Sequence, residues 1–251
     1  MLAIERRELL LRRLERDRRI VAKEIATELG LSEDSIRRDL RDLAAEGLLT
    51  RVYGGAVPAS PAVADYAART QIATASKHRV AATAADLVRP GSTVILDGGT
   101  TVLALVQQLP RSLDATFITH SPTVAAALIE HDAEVIVLGG RLFKHSAVTV
   151  GAAAAEAANR ISADLFLLGV TGIHATAGLT TGDWDEAAMK RTLASRAAET
   201  YVLGSAEKIG AASRHPVLAL DEITGLILDA PAGDPAADEL RRTGVRIVTT
   251  G

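Results

Sequence analysis

The chain has 251 residues, more than a single small binding module needs and enough for one small domain plus one of full size. It contains no cysteine, which excludes disulfides, thiolate chemistry and cysteine zinc sites, and its six histidines show no metal-binding spacing. The formal charge of −3 is unevenly spread, since residues 1–56 carry 12 Lys+Arg against 11 Asp+Glu and the remainder 16 against 20. Net charge therefore says little about partners, and the position of each cation has to carry that question.

Charged residues run through the first 19 positions where a signal peptide would need an apolar core, and no later stretch offers about 18 uninterrupted apolar residues. A cytoplasmic protein is expected. Residues 4–16 place Ile4, Leu9, Leu10, Leu11 and Leu14 largely on one side of a helix whose other positions are charged. A second helix over 21–29 turns Ile25, Ala26 and Leu29 inward and stops at Gly30, which tolerates a left-handed cap. Ser32 then serves as an N-cap for a third helix, with Glu33 and Asp34 in its first turn and Ile36, Leu40 and Leu43 on one face. Residues 48–57, LLTRVYGGAV, have strand-formers around a basic residue and close on a glycine pair, which predicts a β-wing.

Three helices, a tight turn and a wing in this order make a winged helix-turn-helix, expected over residues 1–57. In that arrangement the third helix enters the major groove of DNA. With its apolar face buried, Ser35, Arg37, Arg38 and Arg41 remain outside, and arginine forks to guanine or grips phosphate. Arg37 and Arg38 are the expected main contacts. Ser32 at the helix start, Arg51 and Tyr53 on the wing and Lys23 on the preceding helix are candidates for positioning contacts to the backbone. The competing reading is a solvated face with i,i+4 pairs such as Glu33 with Arg37 and Asp34 with Arg38.

Residues 58–75 contain two prolines and many small residues, and predict a linker in which 66–69 retain some helical pattern. From 76 to 251 helices and apolar strands alternate. Strands are expected at 93–96, 116–119, 134–138, 165–169, 201–203, 225–228 and 245–248, with helices at 77–88, from 101, at 122–130, 185–198 and 236–243. The fold class is therefore α/β: a winged helix-turn-helix followed by a mostly parallel sheet with crossover helices.

Ligands of open parallel sheets sit beyond the carboxyl ends of the strands, where four loops offer candidates. Gly98, Gly99, Thr100 and Thr101 form a strand-turn-helix whose backbone amides suit a phosphate. His120 and Ser121, Gly140 and Arg141, and Gly172 follow later strands. Arg141, Lys190 and Lys208 are candidates for balancing a phosphate, and Asp97, Asp183 and Glu186 for holding sugar hydroxyls, although Glu186 and Lys190 also fit a plain i,i+4 pair. Neither GxxxxGK nor GxGxxG is present, so no nucleotide cofactor is expected.

The run SEDSIRRDLRDLAAEGLLTRVYGGA resembles the N-terminal signature of the DeoR family of bacterial regulators, and LDGGTT, VIVLGG, DLFLLGVTGI and AGLTTGDWDEAAMKR extend the resemblance over essentially the whole chain. The resemblance implies that the IRRDL helix reads operator DNA. It also implies that the protein represses a sugar catabolic operon as a dimer or tetramer, and that the second domain has the ribose-5-phosphate isomerase type of fold and senses a phosphorylated sugar. By motif it points to Gly99, Thr100, Thr101, Ser121, Gly140, Gly172, Glu186 and Lys208. Two departures stand out: His120 where members often carry Asn, and Gly204-Ser205-Ala206-Glu207-Lys208 where they often carry Asp-Ser-Ser-Lys. An isomerase-like enzyme with Glu186 as base and Lys208 as stabiliser, or an activator with a non-phosphorylated effector, are the alternatives.

Overall fold

The computed structural model describes residues 2–250. The chain opens with α1 (Ala3–Asp17), β1 (Ile20–Val21), α2 (Ala22–Leu29), α3 (Glu33–Ala45), β2 (Leu49–Val52) and β3 (Gly55–Pro58). The strands form a small antiparallel sheet in the order β1-β3-β2 beside the three helices. Leu10 and Leu14 of α1, Ile25 of α2 and Ile36, Leu40 and Leu43 of α3 are buried together, as their helical spacing requires.

Local chemistry sets the joints of this unit. Gly30 ends α2 at φ +64°, and Ser32 Oγ accepts the Ser35 amide at 3.2 Å to start α3. Gly55 is required by close approach, because a Cβ there would lie 1.7 Å from the Ile20 carbonyl oxygen. Asp39, on the buried side of α3, takes a two-pronged contact from Arg6 of α1, with Nη2 at 3.0 Å from Oδ1.

Residues 58–75, expected as a loose spacer, are packed instead. They carry a 3₁₀ turn at Pro61–Val63 and α4 (Tyr66–Gln71). Ser60 Oγ donates to the Thr171 carbonyl, Ala62 is buried, and Tyr66 Oη lies 3.2 Å from Thr123 Oγ1. Composition showed only small residues and prolines. Here those small residues let the backbone lie flat against the second domain.

The second domain runs α5 (Thr74–Ala85), β4 (Thr93–Leu96), α6 (Thr100–Val106), β5 (Thr116–Thr119), α7 (Pro122–Leu128), β6 (Glu134–Val137), β7 (Arg141–Phe143), β8 (Val148–Val150), α8 (Ala152–Ala158) and β9 (Ala163–Leu168). It continues through β10 (Gly172–His174), β11 (Gly178–Thr181), α9 (Trp184–Ala194), β12 (Ala197–Gly204), β13 (His215–Leu218), β14 (Gly225–Leu228), α10 (Pro235–Arg242) and β15 (Ile247–Thr249). Seven strands make one parallel sheet in the order β15-β14-β12-β9-β4-β5-β6. Both faces are covered. Val94, Leu96, Leu165 and Leu167 join the core on one side, while Ile95, Phe166 and Leu168 join the core on the other, the period-two alternation of a strand buried twice.

Strand order decides where a ligand can sit. From β4 the chain steps outward through β5 and β6, then returns to β9 on the opposite side of β4 and builds away through β12 and β14. The loops after β4 and β9 therefore diverge, and a crevice opens between them at the carboxyl ends of the strands. The β7–β8 hairpin and the β10-β11-β13 sheet, which the periodicity did not show, stand around this edge.

Candidate functional site

Two surfaces have the makings of a site. On the winged unit, Ser32, Arg37, Arg38 and Arg41 are exposed along α3, Ser35 partly so, and Lys23 is exposed near the start of α2. Arg51 and Tyr53 project from the wing, Tyr53 with its whole side chain in solvent. Arg37 and Arg51 border the same shallow concavity between α3 and the wing. Arg37 is held by Glu33, with Nη2 at 2.6 Å and Nε at 2.9 Å from Oε1, and this contact raises the guanidinium above its ordinary value. The Asp34–Arg38 pair does not form; among the described residues Lys23, Arg38, Arg41 and Arg51 have no ion-pair partner. Ser32 and Ser35 hydrogen-bond to each other at 2.9 Å, so both hydroxyls serve the helix start.

The second surface is the crevice. A small, partly open cavity of about 20 Å³ is bordered by Gly98, Gly99, Thr100 and Thr101 from the β4–α6 turn, Gly169, Val170 and Thr171 after β9, and Glu186 and Lys190 from α9. Glu207 and Lys208 reach it from the 3₁₀ turn after β12. Gly98 lies too close to Val148 for any side chain, a Cβ there meeting Val148 Cγ1 at 2.1 Å, and Gly99 sits at φ +106°. These two glycines let the turn pass close to the hairpin and border the cavity.

Beneath the cavity floor lies a buried charge network. Asp97 is fully buried and accepts from Lys190 Nζ at 2.6 Å, the Gly169 amide at 2.8 Å and His120 Nε2 at 2.7 Å. Burial alone would raise its carboxyl, but Lys190 and His120 outweigh it and hold the group well below the usual carboxylate range. Lys190 also reaches Glu186 Oε1 at 3.3 Å, and these two carboxylates raise the ammonium against the opposing effect of burial. Glu186 is secured in turn by Thr181 Oγ1 at 2.9 Å and Ser146 Oγ at 3.2 Å. The Glu186–Lys190 pair is thus a buried contact, not a surface one.

Lys208 is different. Its Nζ donates to Thr101 Oγ1 at 3.0 Å and the Leu203 carbonyl at 3.2 Å and makes no carboxylate contact, and burial pushes the ammonium down to about 8. A buried ammonium held only by neutral oxygens is ready to take an anion.

Several expected site residues stand elsewhere. His120 and Ser121 are completely buried behind the cavity: His120 Nδ1 lies 2.9 Å from the Thr149 carbonyl oxygen, and Ser121 Oγ donates to the Ala147 carbonyl at 3.0 Å. His120 therefore supports Asp97 from below. Gly140 packs against Ala154, and Gly172 lets its strand approach the Ala211 carbonyl, so both are packing glycines. Arg141 extends into solvent to pair with Asp185 at 2.6 Å, and Asp183 caps α9 by accepting the Glu186 amide at 2.9 Å.

Three charged residues at the cavity escaped notice in the sequence: Arg69 of α4, Lys77 of α5 and Glu207. Arg69 lies in the weakly patterned stretch 58–75 and Lys77 at the start of the helix after it, and burial lowers both cations from their ordinary values. The one available signal was Glu207, which stands within the Gly204 to Lys208 departure.

Two family models account for most of the chain: the DeoR-like helix-turn-helix domain matches residues 6–62 and the DeoR C terminal sensor domain matches residues 72–230. The HTH-type transcriptional regulator GlpR of Haloferax volcanii is 32% identical over 246 residues, covering 93% of this chain and 96% of that protein. The HTH-type transcriptional repressor GlcR of Bacillus subtilis is 31% identical over 240 residues, 94% and 92% of the two chains. Among solved structures, ribose 5-phosphate isomerase A of Methanocaldococcus jannaschii covers 54% of each chain at 18% identity with a TM-score of 0.41. Among the described residues no helix is long and apolar enough to cross a membrane. With a winged helix at its start and a sensor domain behind it, both matched along their length, the chain belongs to the DeoR family of DNA-binding transcription regulators.

Proposed function

We propose that the protein represses an operon for sugar use and leaves its operator when a phosphorylated sugar or related metabolite enters the cavity at the β4–β9 crevice. The observation that carries this reading is Lys208: a buried ammonium without a carboxylate partner, 3.0 Å from Thr101 at the turn that borders the same cavity. Repression follows the name of the Bacillus subtilis relative. In this reading Arg37, Arg38 and Arg41 meet base edges and phosphates, Arg51 and Tyr53 engage the backbone beside them, and Lys23, Ser32 and Ser35 fix the register. Gly99, Thr100, Thr101, Glu186, Lys190 and Lys208 receive the effector, with Asp97 and His120 holding the floor.

The reading places the protein in the cytoplasm as a homo-oligomer, because one winged helix covers half of a two-fold operator. Support for self-association comes from the free edge of β6, where Ile136 and Val137 are exposed beside Ile129 and Leu142. Gel-shift titration of the DNA upstream of its own gene, with and without pentose and hexose phosphates, tests the proposal. A retarded band that these esters dissolve is expected; a chain that never shifts this DNA, or whose shift no ester changes, contradicts it.

A further inference from the structure

The cavity has a wall that does not come from the sheet. Arg69 belongs to α4, in the segment joining the two domains, and is only 8% exposed. Its Nη2 donates to the His145 carbonyl at 3.0 Å and its guanidinium lies 5.7 Å from the Tyr66 ring, so the side chain is held in place. Yet Arg69 Nε–H is buried with no acceptor. Across the same cavity, Glu207 shows the complementary defect. Its Oε1 accepts from Ser205 Oγ at 2.8 Å and lies 4.0 Å from Lys77 Nζ, whereas its Oε2 is buried with no donor.

Among the described residues only three buried side-chain polar atoms lack a partner, and two of them border this one cavity. Buried polar groups are nearly always satisfied, so a donor and an acceptor left free at one place specify what should fill it. The guest must offer an oxygen to Arg69 and a hydroxyl to Glu207. Charge agrees with an anionic guest: Arg69, Lys77, Lys190 and Lys208 face only Asp97, Glu186 and Glu207.

Resting on the sugar-phosphate reading above, we propose that Arg69 and Glu207 are the effector-reading pair of this pocket: Arg69 Nε–H takes an anionic oxygen and Glu207 Oε2 takes a hydroxyl of the same molecule. The ligand class is then a hydroxylated phosphate ester and not bare phosphate. Glu207 supplies specificity, since a lone carboxylate repels an anion unless a hydroxyl shields it. Arg69 supplies coupling, since it stands on the segment leading to the winged helix, and its partner His145 also borders the cleft of about 650 Å³ that separates the hairpin from Gly47, Leu49 and Arg51.

The test is calorimetric titration of the full chain with inorganic phosphate and with glycerol 3-phosphate, pentose phosphates and hexose phosphates, using wild type, Arg69→Met and Glu207→Ala. Arg69→Met is expected to weaken phosphate and the best ester alike by at least tenfold, and, since it also removes the bond to the His145 carbonyl, binding is read at a temperature where the variant is folded. Glu207→Ala is expected to act with opposite signs, tightening inorganic phosphate severalfold and weakening the best ester by tenfold or more. Binding of phosphate and esters that neither variant alters overturns the pair while leaving the sugar-phosphate reading intact. Equal changes for phosphate and ester in Glu207→Ala, or a wild type that prefers phosphate to every ester, overturn the role of Glu207. A wild type that binds none of these compounds overturns both readings. Arg69→Met that binds phosphate and esters as tightly as the wild type, whatever its melting temperature, overturns the role of Arg69 as a ligand.

Discussion

Asp97 and Lys190 are 93 residues apart in the chain and meet at 2.6 Å, both almost wholly excluded from solvent, where the loops after β4 and β9 part. A buried carboxylate that accepts from an ammonium, an imidazole and a backbone amide fixes the distance between a sheet strand and the helix that crosses it. Asp97→Ala would leave Lys190 with Glu186 alone and strand the other donors. Its expected cost is about 3–5 kcal/mol of unfolding free energy, measurable by urea denaturation. The folded carboxyl lies below its ordinary value, so the stabilisation it brings is complete at neutral pH, declines once pH falls below the ordinary carboxylate value and is gone when pH has passed the depressed one.

Lys208 gives the opposite pH signature. Its ammonium titrates near 8 in the folded chain against an ordinary value of 10.5, so between these limits the unfolded chain binds more protons. Stability from this group therefore rises with pH across that window. Anion binding moves the other way, because the charged form is the one that attracts phosphate. Phosphate affinity is expected to fall as pH passes about 8, and Lys208→Ala is expected to bind weakly with a flat profile over pH 7 to 9.5 by calorimetry.

On the winged unit, the DNA contact proposed for Arg37 requires it to give up Glu33. Arg37→Ala is expected to weaken operator binding by about 1–3 kcal/mol and to relax base preference at one position, read by footprinting on a set of single-base operator variants. Lys23→Ala, removing a backbone contact, is expected to weaken all sequences alike and to reduce the salt slope by about one.

Asp39 separates folding from reading on the same helix. It faces inward and holds Arg6, whose guanidinium it raises above the ordinary value. Asp39→Ala is expected to cost about 3 kcal/mol of stability and to lower DNA affinity only through unfolding of the first domain. Thermal melts followed by circular dichroism, set beside gel shifts, distinguish this from Arg37→Ala, which leaves the melting curve unchanged.

The residues of α3 were legible because everything that defines the helix is local: Ser32 at its cap, Ile36, Leu40 and Leu43 at helical spacing, and Arg37, Arg38 and Arg41 between them. The seven strands of the parallel sheet were legible for a similar reason, as short apolar runs between helical patterns. The β7–β8 hairpin and α8 were not. They are three-residue strands and a run of alanines, whose structure comes from what they pack against.

The sequence by itself determined the two-part plan, the reading helix and the turn at Gly98 to Thr101, because caps, periodicity and glycine geometry act over a few residues. Tertiary structure alone decided the membership of the cavity. It moved Arg141 and Asp183 out to a surface pair and a helix cap, placed His120 beneath the floor, and brought in Arg69 from a segment that reads as a spacer and Lys77 from the helix that follows it. Spacing along the chain cannot show such placements, because they follow from the strand order that sets β9 beside β4 and from the folding back of α4 over the crevice that this order opens.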